Sequence, residues 1–563
     1  MKKQLEQMIQ IALRELLDQQ ELVAMPAFIQ IEASKEKKFG DFATNIALIL
    51  ARTSHHAPYT IAERIVARIP KSPLIDKIEI CHPGFINFFL APTAFQGLLT
   101  NILSEKSAYG CCKIGRAKKV LVEFVSAAPI KPLTQQHARL AIFGKTIAKL
   151  LDTVGFNVAV EYFIDNIGLA VDIFVVEVWG AYLLQLASLP IPTQHTLFTK
   201  EVANLLEQAV GKQFYQPNID IAKLGANEHD SQTTVAYAQS VLDVRYDALK
   251  RIVTDIVVKR HQEELASLGV TFDYWISAQS LLDVNNLDKM LNRLAAKDVL
   301  FQAEGGYWFR STQFGDERDR VLVRPSGDYT HLAYDLAYHL NKFERGFDLA
   351  IDIFDFNPVD YASGIQAGMQ ALGYDPEQLM PFYVQPAHVI RDGKHVNLSL
   401  NELQTIYPKD ELYFQLLTKR ACQPIELAFD AHSLNDHPLS YVQYAAVRIQ
   451  TVFNELHARG MAFVEADGFV NVAHLVLDEE RRLLNLLASY TETVVNAALQ
   501  YEPHVIVHYL RTLAAEFHAY YNACPFLVDD YVQRSARLTL IKAVQQVLSN
   551  GCALLSISLP ETM

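Results

Sequence analysis

The chain is predicted to be an α/β protein built on a doubly wound parallel sheet, with a small α/β region before the sheet and an all-α region after it. Three observations carry this. Residues 118–126, Lys118-Lys119-Val120-Leu121-Val122-Glu123-Phe124-Val125-Ser126, form a β-branched, apolar run of the kind a parallel sheet buries on both faces. A break at 127–133 leads into a helical pattern from Thr134 to about Leu151, with Leu140, Phe143, Ile147, Leu150 and Leu151 at helical spacing. Strand–helix alternation then continues to about residue 435, and from 436 onward the pattern is nearly all helix.

The elements follow in order. Lys2 to Leu22 reads as an amphipathic helix. Phe39-Gly40-Asp41-Phe42-Ala43-Thr44-Asn45 leads into a second helix, with Asp41 or Thr44 as caps. Ile78–Ile80 and Phe85–Leu90 read as strands separated by Pro83-Gly84, and on periodicity alone their residues are packing residues. After the central helix, Gly155 marks a stop, and Val158–Phe163 forms the next strand, ending at the corner Ile164-Asp165-Asn166-Ile167-Gly168. A helical stretch over about 170–265 is an insertion in the α/β region. Gly327–Asp335 is a turn entering a helix, where Asp328 and Thr330 suit capping. The expected domains are therefore 1–112, 113–435 and 436–563. No internal repeat or low-complexity segment is seen.

The bulk numbers bound the rest. With 563 residues, half of them hydrophobic and 20% charged, the chain can bury several cores. A net charge of −13 gives no overall nucleic-acid footprint, so any such binding must use a local basic stripe. The polar N-terminus and the lack of an uninterrupted apolar run of membrane length lead us to expect a cytoplasmic protein with no membrane partner. The cysteines, Cys81, Cys111, Cys112, Cys422, Cys524 and Cys552, form no Cys-x-x-Cys pair, so no zinc or other metal site is expected, and the adjacent Cys111-Cys112 pair is expected to be reduced.

Strand, tight turn and helix start together make a crevice where backbone N–H groups and the helix dipole face an anionic ligand. Glu123, near the end of the strand, and Asp335 are two carboxylates suited to a planar, permanently charged guanidinium if they face one pocket. The residues Glu123, Phe124, Ser126, Lys131, Pro132, His137 and Arg139 resemble the first signature of the class I arginyl-tRNA synthetases, roughly Glu-Phe-Ser-Ser-x-Asn-x-x-Lys-Pro-x-His-x-Gly-His-x-Arg. "GDFATN" and "HPGFINFFL" resemble that family's tRNA-contacting N-terminal domain. Pro438-Leu439-Ser440-Tyr441-Val442-Gln443-Tyr444-Ala445 resembles its "Pro-x-x-Tyr-x-Gln-Tyr-Ala" helix. The match continues through Phe517–Cys524, Arg534–Leu538 and Lys542–Val544, almost to the end of the chain.

The resemblance implies a Rossmann-type catalytic domain between a tRNA-contacting domain and an anticodon-binding-type bundle. It implies an arginine–tRNA ligase: arginine attacks ATP to give an adenylate, which then esterifies tRNA. ATP enters as substrate with Mg2+, no prosthetic group is expected, tRNA and arginine are the partners, and the protein is expected to be a monomer. The implied catalytic residues are Lys131, Thr134, His137 and Ser399. The implied substrate-binding residues are Glu123, Ser126, His331 and Asp335, with the counterparts of Glu123 and Asp335 holding arginine. For tRNA they are Phe85, Asn87, Gln443, Tyr444 and Arg448, the first two stacking on and hydrogen-bonding a splayed base. Arg534, Arg537 and Lys542 would add charge along an anticodon stem.

The match is broken at identifiable places. Thr134 stands for the first signature histidine, and Gln136 for a glycine on which the family lays the adenine. The mobile loop Arg391–Leu400 has Asn397 and Leu400 at the positions of the lysines of Lys-Met-Ser-Lys; only Ser399 matches. Phe354–Tyr361 replaces a Gly-Ala-Asp-His-His-Gly turn, where Asp355 and Pro358 should reshape the nucleotide edge, and His331 and Ala128 replace a tyrosine and an asparagine. Lys131 pulls the other way, since some members lacking the second loop lysine place one there; Lys394 or Arg391 are further cations for the phosphates. Two readings follow: a ligase of impaired activity, or a non-catalytic paralogue that binds tRNA or a protein partner. A third is ligation or sensing of another small cationic ligand. The direction in which Gln136 points weighs most between them.

Overall fold

The structure, a computed structural model, describes residues 1–26, 28–34, 37–54, 56–192, 195–224, 231–283, 285–355, 361–429 and 438–561. It divides into two compact units: Met1–Cys111 with Ser433–Gln500 and His504–Met563, and Cys112–His432 with Tyr501–Pro503.

The first unit begins with α1 (Lys2–Asp18), β1 (Ile31–Ala33), β2 (Phe42–Thr44), α2 (Ile46–Ser54), α3 (Pro58–Arg68), β3 (Ile75–Cys81), β4 (Phe85–Leu90) and α4 (Pro92–Glu105). The sheet is antiparallel, in the order β1-β2-β4-β3. Amphipathic α1 buries Leu5, Ile9, Ala12, Leu13 and Leu16. Of the two expected caps, Thr44 accepts the Ile46 N–H at 3.3 Å, whereas Asp41 is buried, accepts the Leu90 N–H at 2.7 Å and pairs with Arg481.

The second unit contains β5 (Lys119–Phe124), α5 (Gln135–Thr153), β6 (Asn157–Ile164), α6 (Leu169–Leu186), α7 (Leu197–Val210), α8 (Ser231–Leu242) and α9 (Tyr246–Ser267). It continues through β7 (Tyr274–Ser277), α10 (Ala278–Asp283), α11 (Asn286–Ala296), β8 (Leu300–Ala303), β9 (Gly306–Phe309), β10 (Arg320–Val323), α12 (His331–Glu344) and β11 (Leu349–Asp355). It ends with α13 (Tyr361–Leu372), β12 (Leu379–Val384), β13 (Ala387–Arg391), β14 (Lys394–Val396), α14 (Leu400–Ile406), α15 (Lys409–Leu416) and β15 (Ile425–Ala428). The parallel sheet runs β12-β11-β5-β6-β7. The chain leaves β5 toward β6 and returns on its other side at β11, so the switch point lies between β5 and β11, where open α/β sheets bind ligands. Val120, Leu121 and Val122 are fully buried. Helix α5 lies close on β5 because residue 144 is glycine: a Cβ there would stand 2.2 Å from the Phe124 ring.

The insertion is helical, as expected, with its own core around Trp179, Tyr182, Phe214 and Val253. Helix α6 is long and apolar enough to cross a membrane, yet most of it is packed into that core, with Asp172 accepting from Tyr246 Oη and Lys250 Nζ.

The first unit resumes with α16 (Pro438–Ala458), α17 (Glu465–Val470), α18 (Asp478–Leu499), α19 (His504–Ala523) and α20 (Tyr531–Leu554). The N-terminal and C-terminal regions, read from sequence as separate domains, share this unit. Tyr109 stacks on Tyr490 and donates to the Leu487 carbonyl at 3.1 Å, and Asn550 Nδ2 donates to the carbonyls of Lys106 and Tyr109.

Candidate active site

The start of α5 faces the switch point. Thr134 is its N-cap, in extended conformation. His137 Nδ1 accepts the Thr134 N–H at 3.0 Å and lies 2.9 Å from Thr134 Oγ1. An accepting nitrogen carries no proton, and burial, with His261 and Lys131 adding to it, pushes the His137 pKa down to about 4. The two residues implied as catalytic here, Thr134 and His137, thus cap the helix as a pair. Lys131 is exposed, while its carbonyl faces His261 Nε2 at 2.9 Å. Arg139, the last signature residue, is buried and donates to the carbonyls of Gln385, Pro386, Arg420 and Gln423, which makes it a staple between α5 and two loops.

Gln136 points inward. Its Nε2 donates to Asp355 Oδ1 at 2.7 Å, and its Oε1 accepts the Ala387 N–H at 2.9 Å. The carboxamide therefore spans from the end of β11 to the first residue of β13, across the switch-point crevice. Its neighbour Gln135, 5% exposed, reaches the other way: Nε2 donates to Asn397 Oδ1 at 3.1 Å and Oε1 accepts the Leu398 N–H at 2.9 Å. Backbone bonds run beside it, from Gln135 N–H to Leu398 and from Leu400 N–H to Leu133.

The segment expected as a mobile loop is instead a hairpin of β13 and β14, turning at Asp392-Gly393 with both residues left-handed (φ 50° and 72°), and bonded to the start of α5 just beyond it. Ser399 stands at the start of α14. Its hydroxyl caps α14, accepting the Glu402 N–H at 3.3 Å, while the Glu402 carboxylate bonds back to Ser399 N at 2.8 Å. Arg391 lies over the Phe429 ring, and Lys394 is exposed. The expectation for Pro358 falls outside the described residues.

The two candidate carboxylates, Glu123 and Asp335, differ in setting. Glu123 is buried; it accepts from Ser126 Oγ at 2.7 Å and pairs with Lys342 Nζ at 2.5 Å. Lys342 also meets Asp352 Oδ1 at 2.6 Å. Burial alone would drive this ammonium toward neutrality, but Asp352 and Glu123 outweigh it and hold its pKa above the ordinary value. Asp352 further faces His339 Nε2, and His339 Nδ1 faces the Asp335 carbonyl at 2.7 Å. Alongside, Glu161 is held by Arg345 and by Tyr338 Oη. Glu123 thus meets an internal cation, Lys342. A bare carboxylate at the end of a buried strand is costly, and Lys342 is its built-in counter-ion. At the mouth stand exposed His331 on the first turn of α12, half-buried Asp335 one turn on, and Asp165 at the corner after β6. Burial pushes the Asp165 carboxyl up, with nearby His331 opposing it. Sequence reading marked the Asp165 corner without assigning it to the site. It missed Gln135 and Lys342; a lysine on the buried face of a helix, one turn after Tyr338, was the available signal.

Three family models match the chain: "Arginyl tRNA synthetase N terminal domain" over residues 3–90, "tRNA synthetases class I (R), catalytic domain" over 98–398, and "DALR anticodon binding domain" over 442–563. An arginine–tRNA ligase of Legionella pneumophila (strain Paris) is 38% identical, with 95% of each chain covered. One of Thioalkalivibrio sulfidiphilus is 37% identical over the full length of both. The chain belongs to the class I arginyl-tRNA synthetase family. The fold agrees: the arginyl-tRNA synthetase of Thermus thermophilus superposes with a TM-score of 0.74 over 100% of both chains at 20% identity, and that of Plasmodium falciparum with 0.68 over 100% of this chain and 99% of that one at 14%.

The residues expected to meet tRNA in this synthetase-family chain divide sharply. Phe85, at the start of β4, is 39% exposed. Asn87 departs from expectation: it is 2% exposed and its amide donates to Cys81 Sγ, because the short β3–β4 hairpin turns its side chain inward. Gln443 is likewise engaged, donating to the Ser558 carbonyl at 3.0 Å. Tyr441 and Tyr444, for which core packing was an open reading, are both exposed. Arg448 lies over the rings of Tyr444 and Tyr521 and contacts His518, giving an aromatic and cationic surface. Arg534 and Arg537 turn to backbone carbonyls and Glu480, and Lys542 to Glu465, so these three charges serve the bundle itself.

Proposed function

We propose that this chain is an arginine–tRNA ligase whose adenylate-forming step is slowed. It would act in the cytoplasm as a monomer on arginine, ATP and tRNA. The family and the named relatives support the reaction class; the carboxamide of Gln136, bonded across the crevice, carries the inference of a slowed step. In this reading the arginine carboxylate attacks the α-phosphate of ATP, pyrophosphate leaves, and the adenylate esterifies the terminal adenosine of tRNA. The positive end of the α5 dipole and the exposed Lys131 suit the phosphates, to which ATP brings Mg2+. Asp335, Asp165 and His331 offer the polar mouth for arginine, with Glu123 acting behind them through Lys342. Adenine reaches the backbone at position 136 only when the Gln136 side chain releases Asp355 and Ala387. Phe85 and the Tyr444–Arg448 surface suit tRNA.

A second reading, a paralogue that binds tRNA without catalysis, is favoured by uncharged Asn397 and Leu400 at the loop lysine positions. Arginine-dependent ATP–pyrophosphate exchange, with and without tRNA, separates the two. The expected rate lies about 10²–10³ below that of a member with intact signatures, the usual cost of a lost preorganised donor. A rate equal to such a member would overturn the slowed step. Tight tRNA binding with no exchange at all would establish the paralogue.

A further inference from the structure

Helix α9, 22 residues long, belongs to two places at once. Its first half lies in the insertion core through Tyr246, Leu249, Val253 and Val257, with Tyr246 and Lys250 bonded to Asp172 of α6. Its last turns leave that core and meet both segments of the crevice. His261, 1% exposed, faces the Lys131 carbonyl with Nε2 at 2.9 Å and Tyr162 Oη with Nδ1 at 3.2 Å. A carbonyl only accepts, so Nε2 holds the proton and Nδ1 accepts from the tyrosine, the neutral form that burial favours.

One turn on, Glu264 is 4% exposed. Its Oε1 accepts from Arg260 Nε at 3.1 Å and from Asn401 Nδ2 of α14 at 3.2 Å. Its Oε2 is buried without a partner among the described residues, and burial pushes this carboxyl up, with Arg260 and the nearby Leu133 N–H opposing. Ser267 Oγ bonds to Gln404 of α14 at 2.9 Å. Toward the insertion, Arg260 pairs with Glu201 of α7 and lies over the Phe198 ring. Helix α9 packs on α7 within the insertion core, but a gap opens toward α14. A cleft of about 680 Å³, lined by Leu205, Ile256, Lys259, Glu264, Ser267 and Asn401, lies there, and side-chain bonds link α9 to α14 across it.

We propose that His261 and Glu264 are positioning residues that tie the turn before α5 and the helix after the β13–β14 hairpin to one rod. The insertion core is then coupled through α9 to the turn before α5 and to α14, just after the hairpin. Neither residue belongs to a signature segment, and the mechanical link stands whether or not the crevice proves to take ATP.

Amide hydrogen exchange on the full chain, followed by mass spectrometry, tests this without requiring activity. Glu264→Ala should speed exchange over 398–404 by about tenfold or more, and Asn401→Ala, at the exposed end of the same contact, should do likewise. Glu264→Gln keeps the acceptor for Asn401 and should stay within about threefold of wild type. Glu201→Ala, on the insertion side, should also speed 398–404, while exposed Glu263→Ala should leave it unchanged. The link is overturned if 398–404 is unaffected by Glu264→Ala and Asn401→Ala, if the glutamine variant opens as far as alanine, or if β8–β10 speeds up by the same factor. Unchanged exchange in Glu201→Ala would overturn the coupling to the insertion.

Discussion

Replacing Gln136 by glycine should strengthen ATP binding. The wild-type side chain makes one bond to a carboxylate, Asp355, at 2.7 Å and one with a neutral N–H, Ala387, at 2.9 Å. A neutral bond contributes about 0.5–1.5 kcal/mol net and a charged one about 1.5–3. Asp355 is exposed and rehydrates when released, so the lower end applies, about 2 kcal/mol in all. A base that must displace the carboxamide therefore binds about 30-fold more weakly than one that need not. Glycine in the first turn of α5 costs up to about 1 kcal/mol of helix stability, a small fall in Tm. Gln136→Ala separates the effects: it loses the same bonds but keeps a methyl group under the base, so its gain should be smaller. Calorimetric titration with ATP measures both variants, and pyrophosphate exchange shows whether the gain reaches the chemical step. If Gln136→Gly binds ATP within twofold of wild type, the claim that the carboxamide obstructs the base fails.

Three further outcomes are expected. Burial holds the pKa of both His137 and His261 at about 4, below the ordinary 6.5, so the folded state favours their neutral forms. The stability they contribute is complete above about pH 6.5 and is lost as pH falls toward 4, by up to about 2.7 kcal/mol per unit for the pair; thermal melts from pH 7.5 to 4.5 should show it, with His261→Gln flattening the slope. Lys342→Ala leaves Glu123 and Asp352 buried without their cation and should cost about 3–5 kcal/mol in urea denaturation of the second unit. Arg448→Ala should weaken tRNA binding about tenfold and lower the slope of log affinity against log salt by about one, as a phosphate-facing cation would; an unchanged slope would remove Arg448 from the contact.

What was legible in the sequence was local. The run 118–126 announced a buried strand, and β5 occupies its centre; Val125 and Ser126 leave it in left-handed conformations that no apolar pattern signals. The start of the central helix at Thr134 was legible too, and Thr134 is its N-cap. The Asp392-Gly393 turn was equally legible as a hairpin, but likeness to a mobile family loop drew the reading away from it. The partners of polar residues were not legible, because they lie far off in the chain: Gln136 and Asp355 are 219 positions apart, as are Glu123 and Lys342. This bears on what the broken signatures mean. Read singly, Gln136, Asp355 and Asn397 are losses. In the fold Gln136 bonds to Asp355, and Gln135 bonds to Asn397. A buried polar group left without a partner costs about 1–3 kcal/mol. Of the four, only Gln135 is buried, and both ends of its amide are bonded. The two pairs tie the start of α5 to the end of β11 and to the residue after β14, so Asn397→Lys alone should raise pyrophosphate exchange less than Asn397→Lys combined with Gln136→Gly.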